Sequence, residues 1–459
     1  MKIVFTLSMI ATVLSAGIIE TNDGMFLELF TNKNSTEVLS KVPISKGKIE
    51  KRNCYSTRNG EEWCKVTYTD SGLTINGYSE RKYLDIIERA PNTKTTFEKT
   101  YGGEYDDEAK SIIALKDGYL LVGQTQSFGE GNSDAYIIKV DKLGNKIYSA
   151  AFGGRNADVA NAVVEMDDGF MIAGTTSSFG NRTESLYMLK ITKDGNRVWQ
   201  KGYYSDKDDY YVANDIVKIA DDNVLVAGTE DHVSFFSSEV NIYLNAINNR
   251  GVRNGIKRYG GEDPERANSI ISVSDGYVIA GESDTWGHGR LDAYVIKIDK
   301  DGKRVWHNAF GFDDDESANQ IITTRDGGYI IVGTTESDYK TQKNVYVVKI
   351  SADGKREWQS FYGTREDDEG YGIVEADDGY VIAGYTKGTK NYDSNVYLLK
   401  IREDGSIVWE KTYGSSKDDR ASAIIKVDDG FVVSGYSTST ETHSKDVYLL
   451  KVNKQGNIN

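Results

Sequence analysis

Of the chain's 459 residues, 3 are proline, 2 cysteine, 4 histidine and 6 methionine. So few histidines and cysteines leave no ligand set for a multi-ligand zinc site or a haem. Basic residues are outnumbered, 55 Lys and Arg against 70 Asp and Glu, a net charge of −15. That balance excludes the basic footprint a DNA- or RNA-binding protein needs and opposes docking on an anionic membrane surface. Beyond Leu14 no apolar run is long enough to span a bilayer. Three signatures are missing: His-Glu-x-x-His, a phosphate loop, and a nucleophile elbow with partners in matching positions. What the chain does have is 46 glycines and 30 tyrosines, a β-rich, turn-rich composition that fits neither a helical bundle nor a disordered chain. Its length predicts two or three domains.

The N-terminus reads as a secretory signal peptide over 1–17. Lys2 supplies the positive charge, Ile3 to Leu14 is nearly all apolar, and Ser15-Ala16-Gly17 offers small residues for cleavage. A periplasmic or extracellular protein with no membrane insertion after cleavage is the expectation. The cysteines agree. Cys54 and Cys64 flank a turn-rich stretch containing Asn59-Gly60, a hairpin signal. Such a hairpin brings the pair within disulfide reach, and the bridge would contribute about 2–3 kcal/mol.

Residues 18–92 read as a small barrel of closely spaced strands followed by a linker at Ala90-Pro91-Asn92. Trp63-Cys64-Lys65-Val66-Thr67-Tyr68, and Gly77-Tyr78 leading to Tyr83-Leu84, resemble a bacterial Src-homology-3 type domain of exported, often wall-associated proteins. The resemblance implies a module engaging cell-wall or envelope material.

From residue 97 the chain repeats with a period of about 52 residues. A strand tyrosine recurs seven times: Tyr136, Tyr187, Tyr243, Tyr294, Tyr346, Tyr397 and Tyr448. A glycine follows each by eight residues, from Gly144 to Gly456. Each unit shows four strand signals. Asp-Gly turns such as Asp117-Gly118 link the first two strands, and the middle two are continuous apolar runs, the mark of burial on both faces. The outer strand carries an aromatic: Tyr148, Trp199, Trp306, Trp358 and Trp409, with Gly255 in the third unit. The seventh unit ends before its outer strand. Phe97 stands before Tyr101-Gly102 as Trp409 stands before Tyr413-Gly414, so residues 95–101 supply the missing strand. The expected fold is all-β, a seven-bladed propeller over 93–459 closed by that N-terminal strand. The repeats resemble those of seven-bladed propellers in secreted bacterial proteins, through aromatic-Gly-Gly, an acidic pair, Asp-Gly-Tyr and Asp-x-Tyr-x-x-Lys.

Long loops on one face of such a propeller are the candidate site. Six residues after the aromatic that ends each outer strand, as at Tyr101 and Phe152, stands an acid: Asp107, Asp158, Asp209, Glu265, Glu316, Asp368 and Asp419. Seven carboxylates at one channel mouth repel unless compensated. They read either as a cation site, calcium being the candidate, or as a turn device capping backbone amides; recurrence in every unit favours the turn device. No other cofactor is expected. Loop aromatics Phe128, Phe179, Phe235, Trp286 and Tyr339, with Phe236 and Tyr392, suit stacking on sugar rings or a protein partner, or packing between blades. The expected function is an exported, non-catalytic binding or scaffold protein that presents a protein- or glycan-binding surface. The alternative is a propeller glycan hydrolase or lyase with its acids at the channel mouth.

Overall fold

The computed structural model describes residues 95–458 except 181–183, 205–208, 221, 234–237, 262, 288–289, 337–341 and 389–392, and the backbone of six strands between Ile18 and Glu80. The chain divides into two compact units, Met1–Lys94 and Thr95–Asn459. In the first, six antiparallel strands share one sheet, in which Lys48–Ser56, Glu62–Asp70 and Leu73–Glu80 form a meander. Backbone register sets Cys54 opposite Cys64. Residues 1–17, read as a signal peptide, the Asn59-Gly60 turn and the side chains of Cys54 and Cys64, expected to bridge, lie outside the described residues.

The second unit is a propeller of seven four-stranded antiparallel blades. Blade one comprises Asp107–Leu115, Gly118–Thr125, Asp134–Asp141 and Lys146–Phe152. Five further blades follow the same plan up to Tyr413. The middle strands explain why the blades associate. In blade five every residue of Tyr329–Thr335 and Asn344–Ile350 is buried, so both faces need a neighbour. Seven apolar clusters meet that need, each formed by two adjacent blades. One joins the ends of the ring, with Val432, Val447 and Leu449 of blade seven against Ile112, Leu121 and Ile138 of blade one.

Closure follows the sequence expectation. Phe97–Tyr101 is the outer strand of blade seven, hydrogen-bonded along Lys445–Asn453 with Lys451 opposite Phe97. Tyr101 also donates its hydroxyl to the Gly144 carbonyl of blade one, 2.5 Å away.

Two recurrent residues have plain structural duties. The third-strand lysines pair with the aspartate of their own Asp-Gly turn, as Lys139 does with Asp117 at 2.9 Å and Lys451 with Asp429 at 3.0 Å. The turn glycine between third and fourth strands adopts φ between 69° and 83° in all seven blades, a left-handed conformation that disfavours a side chain. At Gly354 and Gly456 the preceding blade's tryptophan ring also lies within 3 Å of where a Cβ would stand.

Deleting residues 95–101 should expose the Lys445–Asn453 edge and open the cluster between blades seven and one. The expected outcome is aggregation or loss of the cooperative melting transition by circular dichroism. An unchanged transition would refute the closure.

Candidate functional site

Six of the seven predicted acids occupy one position, the first residue of the innermost strand. All six are at most 1% exposed. Asp107, Asp158 and Glu265 each accept the amide of the residue four positions earlier, at 2.7–2.8 Å. Glu316, Asp368 and Asp419 do the same with the amides of Phe312, Thr364 and Ser415. Directly across the strand pair stands a hydroxyl residue in each of these blades: Thr125, Thr176, Ser283, Thr335, Thr386 or Ser437. Thr176 donates to Asp158, and Ser283 to Glu265 at 3.1 Å. Burial pushes the Asp368 and Asp419 carboxyls above the ordinary carboxylate range.

At three blade junctions a second carboxylate joins the first: Asp134 beside Asp158, Asp292 beside Glu316, and Asp446 beside Asp107. Oxygens of both members come within 1.9–2.8 Å of where a Cβ would stand on Gly153, Gly311 and Gly102. Any side chain there would strike two carboxylates, which explains the recurring aromatic-Gly step. Burial raises Asp134 and Asp446. Both acids of the Asp134–Asp158 pair are 2% exposed or less.

Blade three corrects the sequence count. Asp209 has the expected spacing from Tyr203, but strand register sets Ala213 opposite Gly228, four residues on rather than two. The position belongs to Tyr211, whose amide donates to Glu184 O as that of Asp158 donates to Ser133 O. Opposite Tyr211 stands Glu230. The hydroxyl and carboxylate have exchanged strands: Tyr211 donates to Glu230 at 2.5 Å and Arg258 adds a guanidinium at 2.8 Å. Burial, then the Glu230 carboxylate, raises the Tyr211 phenol to about 12. Asp209 instead contacts His232.

One residue further along each inner strand, the repeat ends. The cross-strand pairs there are Val159 with Thr175 and Val212 with Thr229 in blades two and three, and Ser317 with Thr334 in blade five. In the other four they are Arg266 with Glu282, Glu369 with Tyr385, Arg420 with Tyr436 and Glu108 with Gln124. The result is a polar arc on the loop face over blades four to seven and one. Glu369 is its most elaborated member. It accepts the Tyr371 hydroxyl at 2.6 Å and that of Tyr385 at 2.8 Å, with Lys343 Nζ 3.1 Å away. Burial pushes its carboxyl up, but those donors outweigh it and hold Glu369 below the ordinary range. The Arg420 guanidinium lies 3.9 Å from the Tyr385 ring centre. A pocket of about 200 Å³ opens among Glu282, Asp315, Thr334, Lys343, Glu369 and Tyr371. Asp315 Oδ1 and Thr334 Oγ1 in its walls have no hydrogen-bond partner. No group of three or more His, Cys, Asp or Glu able to hold a metal ion occurs among the described residues.

The loop aromatics divide. Phe128 and Trp286 are 43% and 37% exposed, with Trp286 edge-on to His307 at 4.6 Å. Phe179 stacks on Tyr187 at 5.9 Å and joins the core between blades one and two. Phe235, Phe236, Tyr339 and Tyr392 lie outside the described residues. Sequence reasoning missed the polar arc because its positions do not repeat. The hydroxyl opposite each acid was readable, two residues after the second-strand glycine.

Asp368→Ala orphans the Thr364 amide and should cost about 1–3 kcal/mol, whereas Asp368→Asn keeps an acceptor and should cost less. Because the Asp368 carboxyl is raised on folding, its contribution is fully present below an unfolded value of about 3.9 and lost as pH rises through the folded value. Asp368→Asn should therefore compare better with wild type at pH 7 than at pH 4 in urea unfolding. Arg258→Met leaves Glu230 buried beside Tyr211 alone and should cost about 1–3 kcal/mol, part of it recovered by adding Glu230→Gln; equal stabilities of the single and double variants would refute the exchanged pair.

No protein-family model matches this sequence, and no curated protein does. Solved structures of similar shape include the polysaccharide lyase Uly1, at 10% identity and TM-score 0.48 over 77% of this chain and 91% of that one. Sqt1 from Chaetomium thermophilum is similar at 10% identity and TM-score 0.43, over 72% and 80% of the two chains. The lignostilbene dioxygenase of Pseudomonas brassicacearum is similar at 9% identity and TM-score 0.38, over 72% and 92%. Likeness at this level carries no information about what the present chain binds.

Proposed function

We propose that the chain is an exported binding protein of the cell envelope that seats a glycan on the polar arc of the propeller's loop face. The observation that carries this reading is the broken repeat at Glu369, Tyr371, Tyr385 and Arg420. A structural device recurs in every blade, as the buried acids do, whereas a site for one ligand has no reason to. Fixed tyrosine hydroxyls, a carboxylate held ionised and a nearby guanidinium suit a hydroxyl-rich ligand, and Phe128 and Trp286 offer exposed rings on the same face for stacking. The N-terminal unit is read as a Src-homology-3 type module that engages wall material, in a periplasmic or extracellular setting.

A glycan hydrolase or lyase is less well supported. A carboxyl serving as general acid must be raised and must reach substrate. Of the raised carboxyls, Asp134, Asp368 and Asp419 are at most 2% exposed. Asp446 and Asp215 are half-buried, Asp446 beside Asp107 and Asp215 tied up by Ser269 and the Ile216 and Ile270 amides. The reachable Glu369 is held low.

Glu369→Gln with Tyr371→Phe should weaken binding of wall or envelope polysaccharide fragments by at least about tenfold, the loss of roughly 1.4 kcal/mol, in calorimetric titration. Undiminished binding, or release of new reducing ends from the fragments, would overturn the proposal.

A further inference from the structure

In six blades one cross-strand pair joins the third-strand lysine to an aromatic ring: Lys451 with Phe97, Lys139 with Tyr148, Lys190 with Trp199, Lys297 with Trp306, Lys349 with Trp358 and Lys400 with Trp409. In blade three the pair is Ala246 with Gly255. Both large side chains are missing at the same point, and no heavy atom lies within 4 Å of where a Gly255 Cβ would stand. A cavity of about 270 Å³ results, walled by Ile219, Leu225, Leu244, Ile256, Tyr277 and Ile298. It opens to solvent beside the exposed Asn254 and Gly255, on the tight-turn face, opposite the polar arc.

The sister blades show what such a cradle holds. Tyr148, Trp199 and Trp358 direct their polar atoms at one carbonyl in the next blade's turn: Lys193 O at 3.5 Å, Asn249 O at 3.1 Å and Glu403 O at 3.1 Å. The equivalent carbonyl for blade three is that of Lys300, whose residue lines the cavity. Two residues beyond the ring a lysine covers its face, Lys99 over Phe97 and Lys201 over Trp199 at 5.5 Å, and Lys411 over Trp409 at 5.9 Å. Blade three has Lys257 in that place, folded under the Gly302 turn as Lys201 is under Gly251. Trp306 lies 6.2 Å from Tyr329 of the next blade, and Tyr277 is the matching wall. Acceptor carbonyl, lysine lid and tyrosine wall are all present; the ring, and the third-strand lysine opposite it, are not built in.

We propose that this cavity is a binding site for a planar aromatic ring of indole size bearing an N–H donor, either as a free small molecule or carried by a peptide. The apolar walls supply the affinity, the Lys300 carbonyl the polar recognition, and Lys257 a cation over the ring face. The proposal is independent of the loop-face reading.

Calorimetric titration of the full chain with indole should give saturable one-to-one binding. Gly255→Trp, which supplies the ring in place, should raise the melting temperature and weaken indole binding more than about tenfold. Should that variant fail to fold, Gly255→Leu should do the same. Lys257→Ala should weaken binding about two- to fivefold. Tighter binding of N-acetyltryptophan amide than of indole assigns the ring to a peptide, and the reverse order to a free molecule. No saturable binding at millimolar indole, or binding unchanged in Gly255→Trp and Gly255→Leu, would overturn the proposal.

Discussion

A sheet whose two middle strands are apolar on both faces cannot stand in water alone. Each large aliphatic side chain left exposed forfeits about 1.5–3 kcal/mol, and a blade such as that of Tyr329–Thr335 and Asn344–Ile350 carries a run of them. Every blade therefore needs two neighbours, and only a closed ring gives each one two. This is why the seven interblade clusters form a cycle, and why the strand donated by Phe97–Tyr101 matters beyond its five residues. It completes the last sheet, brings Phe97 and Tyr101 into the terminal cluster, and pins the two ends of the sequence together by backbone pairing.

Once the ring is fixed, the repeated polar residues are constrained in turn. Where a loop turns into an inner strand, backbone amides point inward with no strand to pair with, and burying them unpaired is costly. Asp107, Asp158, Glu265, Glu316, Asp368 and Asp419 accept those amides, and Asp158, Glu265 and Glu316 also take a hydroxyl from the strand opposite. Their burial is thus the reason for their recurrence, and the same burial removes them from contact with any ligand.

The fold was legible because its signals are periodic. Strand tyrosines, turn glycines and outer aromatics each recur at matching spacing, and the missing final strand could be found at the other end of the chain by the same rule. Asp209 shows where counting stops working. Its distance from Tyr203 is right, but two added residues before the inner strand shift the register, and only the Tyr211 amide bonded to Glu184 O fixes which residue holds the place. The polar arc was illegible for a related reason. Glu369 and Arg420 occupy equivalent positions in adjacent blades with no residue type in common, Tyr385 stands across the strand pair from Glu369, and their association depends on strand register that spacing does not encode.

Departures from a repeat divide by whether the structure restores what they remove. At Tyr211 the departure is balanced on the spot: the carboxylate reappears across the strand as Glu230, and Arg258 donates to it. The exchanged pair keeps the blade packed, and nothing is left over to explain. At Ala246 and Gly255, in the same blade, nothing restores the lost ring and lysine, although the surrounding Lys257, Tyr277 and Lys300 stand as they do around the rings of other blades. The Glu369 cluster differs again, since it adds groups beyond any that the fold needs. A symmetric scaffold thus supplies its own control: six copies state what stability requires at each position, and a seventh that is neither the same nor compensated marks where a different demand has acted.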